Sequence, residues 1–297
     1  MVMPRDAESS ADAFLALIEK AKGVLKAEQE SREGSGLVRI SPRAVKNVIV
    51  VGDIHGTMDS FAHILRESEA INADRIVFLG DYGDRGSESV DVYHLLLTLK
   101  VSTWKRRILM LRGNHEGPPD LPVMPHDLPF LFTAKYGSDG KEIYERIKEL
   151  WEYLPYCALV DGRYVMLHGG LPGNATSLDD IAFAHASHPA SSTLEEILWS
   201  DPIEGEGYFY SRRGAGRMFG EDVTERILAI VGVKTLIRSH EPCEGVETRQ
   251  RGKVLTLYSR KGSPYFNSRA AYLVLDENAL RVAADADVLA RRAARMW

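Results

Sequence analysis

Short runs of branched apolar residues alternate with helical patterns in the first half of the chain. The runs at 47–51, 75–79 and 107–111 are too short for helices and do not alternate between polar and apolar positions. Each therefore predicts a strand that is buried on both faces. Helical patterns lie between them, at 58–70 and 87–100. This order of strand and helix predicts parallel strands joined by helical crossovers.

The residues before the first run have a different pattern. Apolar residues recur at helical spacing over 9–30, and a charged, Gly-rich stretch follows near 27–36. We predict an N-terminal helical arm over 1–46 and a main domain over 47–297.

The second half of the chain predicts mostly antiparallel strands. A strand pair at 157–160 and 163–167 is joined by Asp161-Gly162, a dipeptide typical of hairpins. Four prolines within 117–129 predict a loop, and 185–193 is a polar connector. The remaining predicted elements are helices at 138–152 and 221–231, strands near 234–237, 245–249, 254–258, 270–275 and 279–283, and a short terminal helix. The whole pattern favours one α/β domain with a mixed central sheet or a two-sheet sandwich.

Polar, Gly-rich segments follow five of the predicted strands. They are Gly52-Asp53-Ile54-His55-Gly56, Gly80-Asp81-Tyr82-Gly83-Asp84-Arg85-Gly86, Arg112-Gly113-Asn114-His115-Glu116, His168-Gly169-Gly170 and Arg238-Ser239-His240-Glu241. Ligands bind outside the carboxyl ends of strands in open α/β sheets. We therefore expect these side chains to meet at one rim.

The residue types at this rim indicate a metal site. Imidazole, carboxylate and amide ligands suit Mn²⁺, Fe or Zn²⁺, and the absence of thiolates argues against a closed structural zinc site. Six ligands that share one carboxylate can hold two ions about 3.5–4 Å apart, an arrangement used in phosphoester displacement. The candidate ligands are Asp53, His55, Asp81, Asn114, His168 and His240.

Composition narrows the class of protein. The chain has 297 residues, 44% hydrophobic and 27% charged, which excludes a disordered or fibrous protein. Its net charge of −5 argues against a protein that binds DNA or RNA mainly through the phosphates, because such proteins usually carry a positive net charge. No apolar run is long enough to cross a membrane, and the N-terminus lacks the apolar core of a secretory signal, so we expect a cytoplasmic protein. Two cysteines, Cys157 and Cys243, cannot form a disulfide framework.

The motifs GDIHG, GDYGDRG, LRGNHE, HGG and RSHE, with LWSDP and RGAGRMFG, resemble a known signature. It is that of the PPP-type serine/threonine phosphoprotein phosphatases, which belong to the calcineurin-like metallophosphoesterases. The resemblance runs from about residue 47 to 258, and the short chain is most similar to the prokaryotic or archaeal branch. It implies an α/β metallophosphoesterase fold, with central mixed sheets forming a sandwich flanked by helices, and a catalytic domain over 47–297.

The resemblance also implies roles for single residues. Asp53, His55 and Asp81 would bind one metal ion, and Asp81, Asn114, His168 and His240 the other. The resemblance implies that the two ions are most often Mn²⁺. A hydroxide that bridges them would attack phosphoserine or phosphothreonine in protein substrates. His115, held by Asp84, would protonate the leaving alkoxide. Arg85 and Arg213 would bind the phosphate oxygens beside Asn114.

One residue and one segment depart from the family pattern. Gly83 stands where the family usually has an apolar residue. Residues 259–265 replace the family's SAPNY stretch, and Tyr265 stands near the place of its active-site tyrosine. Arg260 and Lys261 either add positive charge near an incoming phosphate or belong to a solvated loop. His126, in the Pro-rich loop, is a candidate groove residue.

Three other functions compete with the phosphatase. Diadenosine tetraphosphatases share part of the signature but usually carry Asn in place of Asp84. Nucleases of the same superfamily lack the DRG and RGAG elements. An inactive scaffold would be expected to have lost ligands, and here all six are present.

Overall fold

The computed structural model describes residues 10–297, which form two large β-sheets packed against each other. Successive side chains along each strand point to opposite faces of the sheet, so each sheet packs against a different layer on each face. Val48 and Val50 point into the core between the sheets, whereas Ile49 and Val51 point to the helices on the outer face. The architecture is therefore a four-layer sandwich of helices, sheet, sheet and helices, as predicted from the resemblance.

The first sheet contains the three buried runs of the N-terminal half. Its order is β14-β13-β2-β3-β4, with β2, β3 and β4 parallel and β13 antiparallel to both of its neighbours. The strands are β2 (Val48–Val51), β3 (Arg75–Phe78), β4 (Ile108–Met110), β13 (Ala271–Leu275) and β14 (Ala294–Met296). The predicted parallel strands are thus confirmed.

The second sheet has the order β1-β5-β6-β10-β12-β11. Its strands are β1 (Leu37–Ile40), β5 (Cys157–Val160), β6 (Tyr164–Leu167), β10 (Thr235–Arg238), β11 (Val246–Arg249) and β12 (Val254–Leu257). As predicted, β5 and β6 form an antiparallel hairpin, and β11 pairs antiparallel with β12. The prediction of mostly antiparallel strands fails at the centre of this sheet, because β6, β10 and β12 run parallel to one another. These strands are buried on both faces, which is the usual environment of parallel strands.

A small third sheet lies beside the site described below. It has the order β7-β9-β8 and consists of β7 (Asp201–Pro202), β8 (Tyr208–Tyr210) and β9 (Arg217–Phe219). None of these strands was predicted from the sequence, because each is only two or three residues long.

Helices cover both outer faces of the sandwich. The first sheet packs against α1 (Ala11–Ser31), α2 (Met58–Ala70), α3 (Ser89–Val101), α4 (Leu128–Tyr136) and α5 (Gly140–Trp151). The second packs against α6 (Leu178–Ala182), α7 (Ala184–Ser187), α8 (Thr193–Trp199) and α9 (Glu221–Val231). The core between the sheets also takes in α10 (Glu277–Arg281) and α11 (Ala286–Arg292). No helix in residues 10–297 is long and apolar enough to cross a membrane.

One predicted strand is a helix in the structure. The strand expected at 279–283 is helix α10, which begins where the Asp276 side chain accepts a hydrogen bond from the Ala279 N–H. In the segment predicted as an arm, α1 buries Phe14 and Ile18 in the first helical layer, and β1 pairs with β5. Residues 1–9 of that arm lie outside the described part of the chain.

Candidate metal centre and active site

All six candidate ligands lie just beyond the carboxyl ends of strands. Asp53 and His55 follow β2, Asp81 follows β3, Asn114 follows β4, His168 follows β6 and His240 follows β10. Because β2, β3 and β4 are parallel in one sheet, and β6 and β10 in the other, these ends meet at one rim.

The backbone at this rim is strained. Five non-glycine residues have φ values between 42° and 72°, in the left-handed region that side chains disfavour. Each such residue costs on the order of 1–3 kcal/mol, and such strain concentrates at functional sites. The five are His55, Asp81, Asp84, Arg85 and His240.

One cluster forms around the imidazole of His55. Its Nδ1–H donates to the carbonyl of Gly83 at 2.8 Å, so its Nε2 keeps a free lone pair. That Nε2 lies 3.5 Å from Asp53 Oδ2 and 3.4 Å from Asp81 Oδ2. The Ser239 hydroxyl donates to the other Asp53 oxygen at 2.5 Å and orients the carboxylate. Three buried electron-pair donors therefore face one another.

A second cluster forms around His168 Nε2. The Nδ1–H of His168 donates to the Leu79 carbonyl at 3.1 Å, which leaves Nε2 as an acceptor. This Nε2 lies 2.9 Å from Asn114 Oδ1, 3.1 Å from His240 Nδ1 and 3.4 Å from Asp81 Oδ1. The two Asp81 oxygens thus face different clusters, so this carboxylate lies between them.

These donors fit two divalent cations. Lone pairs at such distances repel one another unless a proton or a cation lies among them, and the carboxylate, amide and imidazole donors are of the kinds that divalent transition metals bind. Burial lowers the pKa of His55 and of His240, which favours the neutral imidazole that metals bind. Burial opposes ionisation of Asp81, but the neighbouring imidazoles, His115 among them, hold the pKa of its carboxyl well below the ordinary value.

His115 lies beside these clusters and pairs with Asp84. Its Nδ1 lies 2.6 Å from Asp84 Oδ2, and its Nε2 lies 4.0 Å from Asp81 Oδ2. Burial opposes the charged imidazole, but Asp81 and Asp84 raise the pKa of His115 to about 9. The turn that carries His115 is held by Glu116, whose carboxylate accepts from the Gly113 and Asp81 N–H groups. Gly113 is required there, because a Cβ would lie 2.3 Å from Asp81 Oδ1.

The two candidate phosphate-binding arginines line one cavity with these histidines, and its volume is about 520 Å³. Arg85 is fixed by its backbone N–H, which donates to Asp127, and by its Nη2, which donates to the Met124 carbonyl at 3.2 Å. Its Nε has no partner in the described part of the chain. Arg213 Nε donates to Asp201 Oδ2 at 2.5 Å. Both cations are therefore oriented before a ligand arrives.

The departure at 259–265 places Tyr265 in the same cavity. Its ring stacks on His55, with ring centres 5.8 Å apart. Arg260 does not face the cavity as a free charge: it is buried, and it donates to the carbonyls of His55 (3.1 Å) and Ser263. Arg260 therefore ties the loop down, and Lys261 is exposed.

Sequence reasoning missed two residues that hold the site. Asp201 fixes Arg213, and the Tyr144 oxygen lies 2.6 Å from Nε2 of His126. His126 lines a smaller cavity of about 190 Å³ with His115 and Tyr144, and the cavity that holds the two arginines does not include it. Asp201 lies in the LWSDP motif, to which no role was assigned, whereas Tyr144 has no local sequence signal because it acts through a residue distant in the chain. The remaining histidines bind residues away from the centre; they are His63, His94, His185 and His188.

Comparison with known proteins agrees with this geometry. The family model of the calcineurin-like phosphoesterases matches residues 46–244. A protein serine/threonine phosphatase from Saccharomyces cerevisiae, with similarity to human phosphatase PP5, is 26% identical, with a TM-score of 0.75, and the match covers 91% of this chain and 84% of that one. A cold-active protein-tyrosine phosphatase of a psychrophilic Shewanella species shares the fold at 18% identity and a TM-score of 0.57, over 82% of this chain and 77% of that one. The chain belongs to the calcineurin-like phosphoesterase family.

Proposed function

We propose that this phosphoesterase is a metal-dependent phosphoprotein phosphatase that acts on phosphoserine and phosphothreonine. The observation that supports it most is the His115–Asp84 pair beside two ligand clusters and two arginines in one cavity. Such a set combines proton donation, metal binding and phosphate binding at one point.

The ligand clusters divide naturally between two cations. Asp53, His55 and Asp81 would hold one, and the other would be held by Asp81, Asn114, His168 and His240. When bound, the two ions would activate a water as the nucleophile and neutralise charge on the phosphate. We expect Mn²⁺ to restore turnover best, although this donor set also accepts Fe and Zn²⁺.

The other side chains handle the phosphate and the leaving group. Arg85 and Arg213 would bind phosphate oxygens as bidentate forks, with the Asn114 amide beside them. A departing serine alkoxide is strongly basic, so it needs the proton of His115. Burial opposes the charged imidazole, but Asp81 and Asp84 raise the pKa of His115, which favours the charged, donating form, and Asp84 accepts its Nδ1–H.

The substrate class follows from the position of the phosphate-binding groups. Two arginines that line one cavity can bind the several free oxygens of a terminal phosphate monoester, and an internal phosphodiester offers fewer. The yeast relative, 26% identical to this chain, is a serine/threonine phosphatase. The net charge of −5 offers no general attraction to nucleic acid.

A substrate panel tests the proposal. The kcat/KM values of the Mn²⁺-loaded protein are measured for phosphoserine, phosphothreonine and phosphotyrosine peptides, diadenosine tetraphosphate and single-stranded DNA. We expect the phosphoserine and phosphothreonine peptides to have the highest values. A kcat/KM at least about tenfold higher for the dinucleotide or DNA than for every phosphopeptide would exclude a phosphoprotein phosphatase.

A further inference from the structure

The Asp84 carboxylate is shared between two histidines. Its Oδ2 lies 2.6 Å from His115 Nδ1 and 2.7 Å from His126 Nδ1. Its Oδ1 accepts the backbone N–H groups of Asp127 (3.0 Å) and Leu128 (2.7 Å). The Asp84 side chain is fully buried. Four donors therefore fix both oxygens of a carboxylate that holds the predicted proton donor.

The direction of these hydrogen bonds follows from the donors and acceptors present. An ionised carboxylate only accepts, so Nδ1 of both imidazoles carries a proton. The other nitrogen of His126 faces Tyr144, with Nε2 2.6 Å from the hydroxyl oxygen. In neutral His126 this Nε2 accepts from the Tyr144 O–H, and burial raises the pKa of Tyr144 to about 12, so the hydroxyl keeps its proton.

Tyr144 provides a rigid support because it lies on α5. Its ring packs edge-on against Trp151, with ring centres 6.1 Å apart, and the ammonium of Lys148 lies 5.1 Å from the ring centre. A chain of contacts thus runs from α5 through Tyr144 and His126 to Asp84, and from there to His115.

We propose that His126 is a positioning residue that, supported by Tyr144, holds Asp84 against His115. The proposal rests on the proposed role of His115 as proton donor. In that step the bond from phosphorus to the leaving oxygen breaks, and the His115 proton passes to that oxygen. Without His126 the carboxylate loses one of the two donors on Oδ2 and turns more freely about its Cβ–Cγ bond. The imidazole that it holds is then less well aimed at the leaving oxygen.

Two substitutions separate the contacts of His126. The amide of Asn overlays Nδ1, so His126→Asn keeps a donor toward Asp84. The longer Gln side chain brings its amide near Nε2, so His126→Gln keeps the contact with Tyr144 and loses the bond to Asp84. His188→Gln serves as a control for the loop itself, because His188 pairs with the carboxylate of Asp120 in the same Pro-rich loop that carries His126.

The assay compares two aryl phosphates that differ in the basicity of the leaving group. Phenolate needs a proton more than p-nitrophenolate does, so loss of positioning lowers turnover of phenyl phosphate selectively. For His126→Gln we expect kcat for phenyl phosphate to fall about tenfold and kcat for p-nitrophenyl phosphate to fall by about twofold or less, with KM little changed. His126→Asn should recover most of the loss, and the control should keep wild-type kinetics.

Equal losses on the two aryl phosphates would overturn the proposal, and so would an Asn variant as impaired as the Gln variant. A lower melting temperature accompanied by equal losses would indicate a structural role of the Pro-rich loop. The test does not depend on peptide substrates. Failure of phosphopeptide hydrolysis with an intact leaving-group difference would refute the proposed function and leave the role of His126 standing.

Discussion

Asp201 links the proposed phosphate site to the core, and its replacement by Asn tests how Arg213 is positioned. Its carboxylate lies between Arg213, at 2.5 Å, and the buried Arg238, at 2.9 Å. Burial opposes its ionisation, but Arg238 and Arg213 hold the pKa of Asp201 below its ordinary value. The carboxylate is therefore charged at any assay pH, so Asp201→Asn removes one charge and little volume.

The two arginines depend on Asp201 to different degrees. Arg238 also donates to the Gly169 carbonyl, the Ser200 carbonyl and Glu241. Among the residues described, Asp201 is the carboxylate that orients Arg213. The substitution should therefore disturb Arg213 far more than Arg238.

The magnitude follows from the hydrogen bonds and the exposure. A hydrogen bond between charged groups contributes about 1.5–3 kcal/mol, and a side chain that is 36% exposed, as Arg213 is, justifies a discount for solvent screening. A loss of about 1–2 kcal/mol corresponds to a fall of about 5–30-fold in kcat/KM.

A double-mutant cycle provides the assay. Values of kcat/KM for a phosphoserine peptide are measured for Asp201→Asn, Arg213→Ala and the double variant, with melting temperatures recorded for each. If Asp201 acts through Arg213, the double variant is no worse than Arg213→Ala alone. Glu247→Gln, which breaks a comparable pair with Arg249 at 3.0 Å, should leave turnover unchanged. Additive losses with unchanged melting temperatures would refute the reasoning.

Three further predictions concern the proposed metal centre, the proposed proton donor and the N-terminal helix. Chelation of the metal should abolish turnover. Asp81→Asn should lower turnover more than replacement of any other ligand, because the two Asp81 oxygens face both clusters. Full activity of protein in which elemental analysis finds no metal would contradict this. His115→Asn should lower phosphoserine hydrolysis about 10²–10⁴-fold and p-nitrophenyl phosphate hydrolysis much less at normal metal content, whereas equal losses would indicate a structural role. Phe14→Ala should lower the free energy of unfolding of the whole chain by about 3–5 kcal/mol, measured by urea titration, because the Phe14 ring is fully buried against α3 and α4. A separate unfolding transition of the N-terminal helix would contradict this.

Much of the rim was predictable because its residues have local signals. Strands buried on both faces are recognised in the sequence as unbroken apolar runs, and the Gly-rich polar segments that follow them indicate where the backbone turns. Since parallel strands bring their carboxyl ends to one edge, residues as distant as Asp53 and His240 were expected together. In the structure the backbone N–H of His240 donates to Asp53 Oδ1, with 3.1 Å between the nitrogen and the oxygen.

Strand partners and supporting contacts had no such signal. Edge strand β1 is four residues long, and only its pairing with β5 distinguishes it from the loop around it. The direction of β6, β10 and β12 depends on which strands become neighbours, and apolar pattern alone does not encode that.

The sequence by itself determined the chemistry of this protein, namely which imidazoles, carboxylates and arginines are present and which strand ends carry them. Only the tertiary structure decided how they are held. His126 reaches Asp84 across 42 positions, and Arg260 turns its charge inward to the His55 carbonyl across 205. Contacts of this kind form only when the layers pack. A charged group buried by that packing pairs with an acceptor nearby in space, because an unpaired buried charge would raise the free energy of the folded state.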